Sequence, residues 1–279
     1  MKKILTILAF VLAAAGVSAQ TASSLFMCAD SLQVGEIVSE SGNEFNAVGH
    51  HGPAVENSHG AFCLYFNDSG AIDLYSKNGR GMELLRYKWY PTEYQRTEEN
   101  AGVDQYAVGE SLGFGGVALW DGRNVVKLVA TGGRTARTGN GKKGSWAELI
   151  AYGVEYMGAK VDICIRLDVN IKNRLVKMTA SELNGQKVTF VTSLNYYEGM
   201  VAEITPKSLY TWGRHPECDG VVGAGLLYNA KMFPVQEKTG SELRLVSKPA
   251  SKVSTTLVCA STLEAELNTQ KRFVSFVTK

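Results

Sequence analysis

VDICIRLDVNIK, residues 161–172, alternates apolar and polar side chains without a break. In an extended chain Val161, Ile163, Ile165, Leu167, Val169 and Ile171 share one face, and Asp162, Cys164, Arg166, Asp168, Asn170 and Lys172 share the other. One face is therefore expected in a core and the other against water or ligand. Residues 146–156 before it and 175–183 after it are β-rich, and Asn184-Gly185 turns into residues 188–196. This composition predicts a four-strand antiparallel meander. Strands this long point to large, curved sheets with a polar concave face.

Working outward, AFCLYFN (61–67) and AIDLYS (71–76) flank Asp68-Ser69-Gly70, a turn composition, and so read as a hairpin. Residues 117–121 and 125–130 around Gly122 read as another. Further strands are expected at 208–212, 221–228, 243–246, 253–259 and 273–277, with an edge strand near 32–38 and one short helical turn near 263–268. No heptad, repeat or βαβ alternation is present. The fold class that follows is all-β, a large antiparallel β-sandwich with little helix.

Residues 1–19 place Lys2 and Lys3 before an apolar run, 4–15, and small residues around Ser18. That is the pattern of a cleaved secretory signal, so the mature chain is expected to begin at Gln20 and to form one β domain over 20–279. The apolar run is shorter than the roughly 20 residues a membrane-spanning helix needs. The expected location is periplasmic or secreted. Removal of the segment takes two Lys and no acid from 29 basic and 27 acidic residues. The remaining charge is balanced, which argues against nucleic acid or anionic lipid as partner. Five Cys, at 28, 63, 164, 218 and 259, are odd in number and contain no CxxC pair. Buried thiols are the expectation, with two disulfides as the upper bound.

Residues 87–122, YKWYPTEYQRTEENAGVDQYAVGESLGFGGVALWDG, are too polar for a core and too aromatic for a solvated linker. They read as the wall of a ligand site. Trp89, Tyr90 and Tyr106 could hold a sugar ring, and Glu98, Glu99 and Asp104 could supply the paired acids of glycosidic cleavage. Asp104 is the first choice, being embedded between Val103 and Tyr106 ahead of a tight Gly turn. His59 and His215 lie in loops or strand edges, where an imidazole can act as acid or base. Trp212-Gly213-Arg214 gives His215 an aromatic and cationic neighbourhood. Arg134 and Arg137, read in a Gly/Thr loop, could grip a uronic acid carboxylate bidentately. Glu148 and Tyr152 share the even-numbered face of the first long strand.

Gly109-Glu110-Ser111-Leu112-Gly113 matches the nucleophile-elbow string, but Gly-rich chain and then strand follow where a helix is required. A tight turn is the plainer reading, with a serine esterase using Ser111 the alternative. His50 and His51 are adjacent and point opposite ways in extended chain, a poor metal pair. No phosphate loop, dinucleotide fingerprint, EF-hand string or zinc spacing occurs, so neither cofactor nor metal is expected.

AIDLYSK (71–77), WYPTE (89–93), the string GVDQYAVGESLGFGGVALWDG (102–122), RTAR (134–137), VGAGLLY (222–228) and AELNTQKRF (265–273) together resemble the domain-of-unknown-function 4861 family, exported proteins of polysaccharide-degrading bacteria. The resemblance implies a sandwich similar to the galactose-mutarotase and lyase supersandwich folds. It also implies a role beside the breakdown of pectin or other uronic-acid polysaccharides. In mutarotase-like sandwiches a His acid and a carboxylate base reach the sugar, parts that His59 or His215 with Asp104 or Glu148 could play. The expected function is processing of uronic-acid oligosaccharides by general acid/base chemistry, as lyase, hydrolase or epimerase. A non-catalytic glycan-binding module is the alternative.

Overall fold

In the computed structural model, which describes residues 20–87, 91–218 and 220–279, the alternating stretch lies in strand Ala159–Asn170. Its odd-numbered residues from Val161 to Val169 are buried and its even-numbered ones half-buried or exposed. The strand pairs antiparallel with Gly144–Tyr156 and with Val176–Glu182. These belong to a nine-stranded antiparallel sheet that runs from Val201–Ile204 at one edge to Glu36–Ser39 at the other. Two five-stranded sheets face it. One is ordered Thr21–Ser24, Ala54–Asn57, Gly60–Leu64, Ile72–Ser76, Val103–Asp104. The other is ordered Val235–Lys238, Glu242–Val246, Phe190–Asn195, Phe114–Trp120, Val125–Val126.

The three sheets share one core. Ile163, Ile165, Leu167, Met178 and Leu257 of the large sheet meet Phe62, Leu64, Ile72 and Leu74 of the first small sheet and Phe114, Leu119, Phe190 and Leu245 of the second. Truncating one such side chain to Ala costs about 2–5 kcal/mol, so the layers are locked by many residues of this kind. The Asp68-Ser69-Gly70 turn forms as expected between Gly60–Leu64 and Ile72–Ser76. Gly70 has φ 66°, and a Cβ there would lie 2.0 Å from the Val117 carbonyl oxygen. Only glycine lets this turn settle on the neighbouring sheet.

Three expectations are corrected. The meander ends after three strands, because strand Lys252–Ser261 takes the free edge of Val176–Glu182. Phe190–Asn195, buried along its whole length, crosses to the second small sheet instead. Residues 273–277 are helical rather than strand. They close helix α2, Gln270–Val277, which places Phe273 and Val277, four residues apart, on one buried face. Inside the long loop, Glu93–Glu98 is helix α1, capped reciprocally by Thr92 and Gln95. None of the five cysteines is in a disulfide; Cys63 and Cys259 are buried and Cys28 is exposed. The expected signal segment, 1–19, lies outside the described residues, within which no helix is long and apolar enough to cross a membrane.

Candidate functional site

The outer face of the first small sheet carries a cleft whose floor follows from register. Ala54 stands opposite Cys63, which stands opposite Asp73; in the next row Ala61 stands opposite Tyr75, which stands opposite Asp104. Small residues in the first two strands leave space, and Asp73 and Asp104 become diagonal neighbours on the same face. The cleft has about 480 Å³ of empty volume, of which only about 40 Å³ is reachable by the centre of a water molecule. That suffices for a few waters or the edge of a ring, not a whole buried sugar.

Residues 83–87 form the roof, and a buried ion pair holds them. Glu56 is fully buried, pairs with the Lys77 ammonium, and accepts the backbone N–H groups of Glu83 (2.9 Å) and Leu84 (3.0 Å). Lys77 also donates to the carbonyls of Asn57 and Gly81, both at 2.8 Å. Each of its three ammonium protons thus has an acceptor, which is what allows the charge to sit inside. Glu83 in turn accepts from Tyr75 Oη at 3.0 Å and from the Gly102 N–H at 2.8 Å. Tyr87 donates to Glu99 at 3.0 Å.

The three carboxyl groups of the cleft are all raised, Asp73 the most. Burial pushes the Asp73 carboxyl well above the ordinary carboxylate range, and the charge of Asp104 pushes it further. The Tyr65 hydroxyl, at 2.9 Å, and the Leu74 N–H oppose this only in part. Burial raises Asp104 as well, against the Tyr106 N–H and the charge of His51. Raised by burial and then by its neighbour, Asp73 keeps its proton near neutral pH. Glu83 is also raised by burial.

His50 lines the same cleft, and burial brings it down to about 4, so it is neutral there. His50 and His51 both hold left-handed backbone, φ 56° and 61°, a strained pair at the rim. Burial, and then Asp73, raises the Cys63 thiol well above its usual value, so it stays protonated. Among the described residues no group of three or more His, Cys, Asp or Glu is placed to hold a metal.

Of the candidate catalytic and substrate-binding residues read from the sequence, only Asp104 lines this cleft among those described. Trp89 and Tyr90 lie outside the described residues. His59 sits in the turn between Ala54–Asn57 and Gly60–Leu64; burial, then Arg174, Arg80 and Lys77, lower it to about 4. His215 is 1% exposed, packed on Tyr106 (4.2 Å) and Tyr197 (5.2 Å). Neither of its ring nitrogens has a hydrogen-bond partner of ordinary geometry, although the Ala107 carbonyl is near, and burial lowers it to about 4. Tyr106 is in the core and donates to the Gly113 carbonyl.

Glu98 is exposed at the end of its helix. Trp212 packs on Phe273 of α2. Glu148 lies on the outer face of the large sheet, held by Arg166 at 3.1 Å, with Arg137 at 3.9 Å. Tyr152 is half-buried on the same strand, beside Gly132.

The arginines do not form the expected pair. Both lie in strand Arg134–Gly141, and three positions apart they fall on opposite faces. Arg134 is buried, tied to Asp68 at 2.8 Å and to the carbonyls of Asn67 and Leu128. Arg137 faces out, bonded to Glu36. Ser111 donates to the Val108 carbonyl at 2.6 Å and accepts the Gly113 N–H at 2.9 Å, the geometry of a tight turn. Strand Phe114–Trp120 follows it, and the hollow it lines contains no His.

Asp73, Tyr65 and Glu83 were not singled out by sequence, and His50 stands out there only beside His51, as a poor metal pair. For Asp73 a signal existed: in AIDLYS it is a lone acid between Ile72 and Leu74, on the face that Tyr75 shares.

The family model of a domain of unknown function, DUF4861, matches residues 15–279. No curated protein matches the sequence. Solved structures that resemble the fold include a protein designated an aldose 1-epimerase from Klebsiella pneumoniae subsp. pneumoniae MGH 78578, at 7% identity and TM-score 0.41, covering 93% of this chain and 94% of that one. A mutant of heparan sulfate lyase HepC from Pedobacter heparinus is similar at 11% identity and TM-score 0.37, over 75% of this chain and 33% of the lyase. A 4-alpha-glucanotransferase from Thermococcus litoralis is similar at 10% identity and TM-score 0.38, over 75% of this chain and 39% of the transferase. The chain therefore matches about a third of the lyase and two fifths of the transferase. All three neighbours are carbohydrate-active by name, and no residue role is carried from them.

Proposed function

The chain belongs to the DUF4861 family, whose name carries no reaction, and from the site itself we propose that it processes oligosaccharides containing uronic acids by general acid/base chemistry. The observation that carries this is the Asp73–Asp104 pair in a cleft walled by aromatic rings and hydroxyls. An Asp73 that keeps its proton near neutrality beside Asp104 offers a donor and an acceptor at once, because burial has raised Asp73 far above an ordinary aspartate. Tyr65 orients Asp73, and the Tyr106 N–H, at 3.2 Å, orients Asp104.

The described lining residues include no Lys or Arg. The ring edge that enters is accordingly held through its hydroxyls, and the carboxylates of neighbouring rings stay outside. Export is part of the same proposal, since such polymers are met beyond the cytoplasm. It is checked by N-terminal sequencing of the mature protein, expected to begin at Gln20.

The test of the chemistry is mass spectrometry after incubation with saturated and unsaturated pectin-derived oligosaccharides. Cleavage with uptake of water identifies a hydrolase, and a new unsaturated end identifies a lyase. Return of every oligosaccharide at its starting mass, with binding still seen by calorimetry, removes bond cleavage and leaves an epimerase or a binding module.

A further inference from the structure

A second concavity lies on the opposite side of the molecule's core, on the outer face of the large sheet. One row across that face runs Trp146, Asp168, Lys177, Thr256, Leu227, each opposite the next in register. Helix α2 covers the adjoining stretch, where Phe273 and Val277 pack with Tyr210, Trp212 and Val258. Beside the helix the sheet is left open as a groove of about 490 Å³.

Its polar groups are strongly one-sided. No Asp or Glu lines it, and Lys177 is its only charged lining residue among those described. The carboxylate facing Lys177 across the strands, Asp168, is already held through both oxygens by Arg166 at 3.0–3.1 Å. Lys177 itself has no ion pair among the described residues. The Asn side chains at the rim spend their oxygens on turns: Asn173 Oδ1 accepts the Leu175 N–H at 3.0 Å, and Asn229 Oδ1 accepts the Lys231 N–H at 2.9 Å. What faces a ligand is their amide N–H groups, the Lys177 ammonium and the hydroxyls of Ser254 and Thr256. A surface of donors with one free cation and an apolar floor, Leu175 and Leu227, fits an acceptor-rich anion with a hydrophobic ring face.

We propose that this groove is a binding subsite for an acidic saccharide, with the sugar's acid group at Lys177 and its hydroxyls on Asn173, Asn229 and Thr256. The inference rests on the saccharide reading of the cleft and deepens it. The cleft supplies carboxylates and no described cation, the groove a cation and no carboxylate, so a polymer's acidic rings have a place the reacting ring does not offer.

The experiment is calorimetric titration of the mature protein with a galacturonate oligosaccharide, a sulfated oligosaccharide and a neutral one of equal length. Wild type, Lys177→Glu, Asn229→Ala and Asp104→Asn are compared, each first confirmed folded by its unfolding midpoint. Lys177→Glu is expected to weaken the acidic ligand at least tenfold and Asn229→Ala severalfold, while Asp104→Asn keeps the binding. The neutral ligand is expected not to respond to Lys177→Glu. The tighter of the two acidic ligands tells a carboxylate from a sulfate ester. If Lys177→Glu binds both acidic ligands like wild type while Asp104→Asn does not, the groove is no subsite and the cleft alone binds, leaving the proposed chemistry standing. If no saccharide binds wild type at all, both readings fall together.

Discussion

Lys77 and Glu56 form an ion pair with essentially no solvent exposure, and the same Glu56 carboxylate holds two backbone N–H groups of the segment that roofs the cleft. The pair is therefore a fastening for the roof as well as a buried charge pair. Lys77→Met leaves Glu56 charged and uncompensated, for which the expected cost is about 3–5 kcal/mol. Glu56→Gln combined with Lys77→Met is expected to recover part of this, because no lone charge remains. Urea unfolding of the single and double variants measures both. A single variant within about 0.5 kcal/mol of wild type would contradict this account.

Asp104→Asn removes the like charge beside Asp73. The Asp73 carboxyl is then expected to titrate closer to an ordinary aspartate, which carboxylate-region infrared or NMR titration can follow. In wild type the folded chain keeps the Asp73 proton at pH values where the unfolded chain has lost it. Its contribution to stability is thus full at low pH and falls as pH rises from the unfolded carboxylate range towards the raised folded value. That fall should be smaller in Asp104→Asn. On a confirmed substrate, loss of either acid is expected to slow turnover about 10²–10⁴-fold.

His215 carries the opposite sign. Its folded value of about 4 lies below the ordinary 6.5, so stability is full above 6.5 and is lost as pH falls towards 4. His215→Phe keeps a flat ring against Tyr106 and Tyr197 and removes the proton. The slope of unfolding free energy between those pH values should drop by about one proton's worth, with His50 and His59 supplying the remaining histidine part. An unchanged slope would show that the ring is solvated in solution.

Ser111→Ala is expected to leave turnover intact and cost about 1 kcal/mol, the worth of its turn hydrogen bonds. A serine-directed fluorophosphonate should leave wild-type Ser111 unlabelled. Labelling there, abolished by the substitution, would restore the esterase.

The fold was readable where period and burial coincide. Residues 161–169 alternate because one face of a long strand is core, and the 68–70 turn joins two strands adjacent in sequence. What escaped depends on competition between elements. Residues 270–277, QKRFVSFV, carry β-forming side chains, yet Thr269 caps Arg272 and the 273/277 spacing fits a helix face just as the odd-numbered residues fit a strand face. Nothing local tells residues 190–195 that the neighbouring edge is already occupied by a strand some sixty residues on. The cleft was half legible: Asp104 stood out in its loop, whereas Asp73 acquires its meaning only from a strand register set across about thirty intervening residues. Arg134 and Arg137 read as a pair in a loop, whereas the strand they occupy puts residues three apart on opposite faces.

Val103–Asp104, the strand that brings the second acid to the cleft, is two residues long and occupies the rim of its sheet, whereas Asp73 belongs to the five-residue strand one place inside it. Rim strands detach by fluctuations far cheaper than global unfolding. Each detachment takes Asp104 away from its partner and removes the second of the two causes that raise Asp73, so the hold on its proton weakens. Proton affinity at this site is therefore a readout of whether the sheet margin is closed, and amide exchange at Val103 and Asp104 should report the same opening from the backbone side.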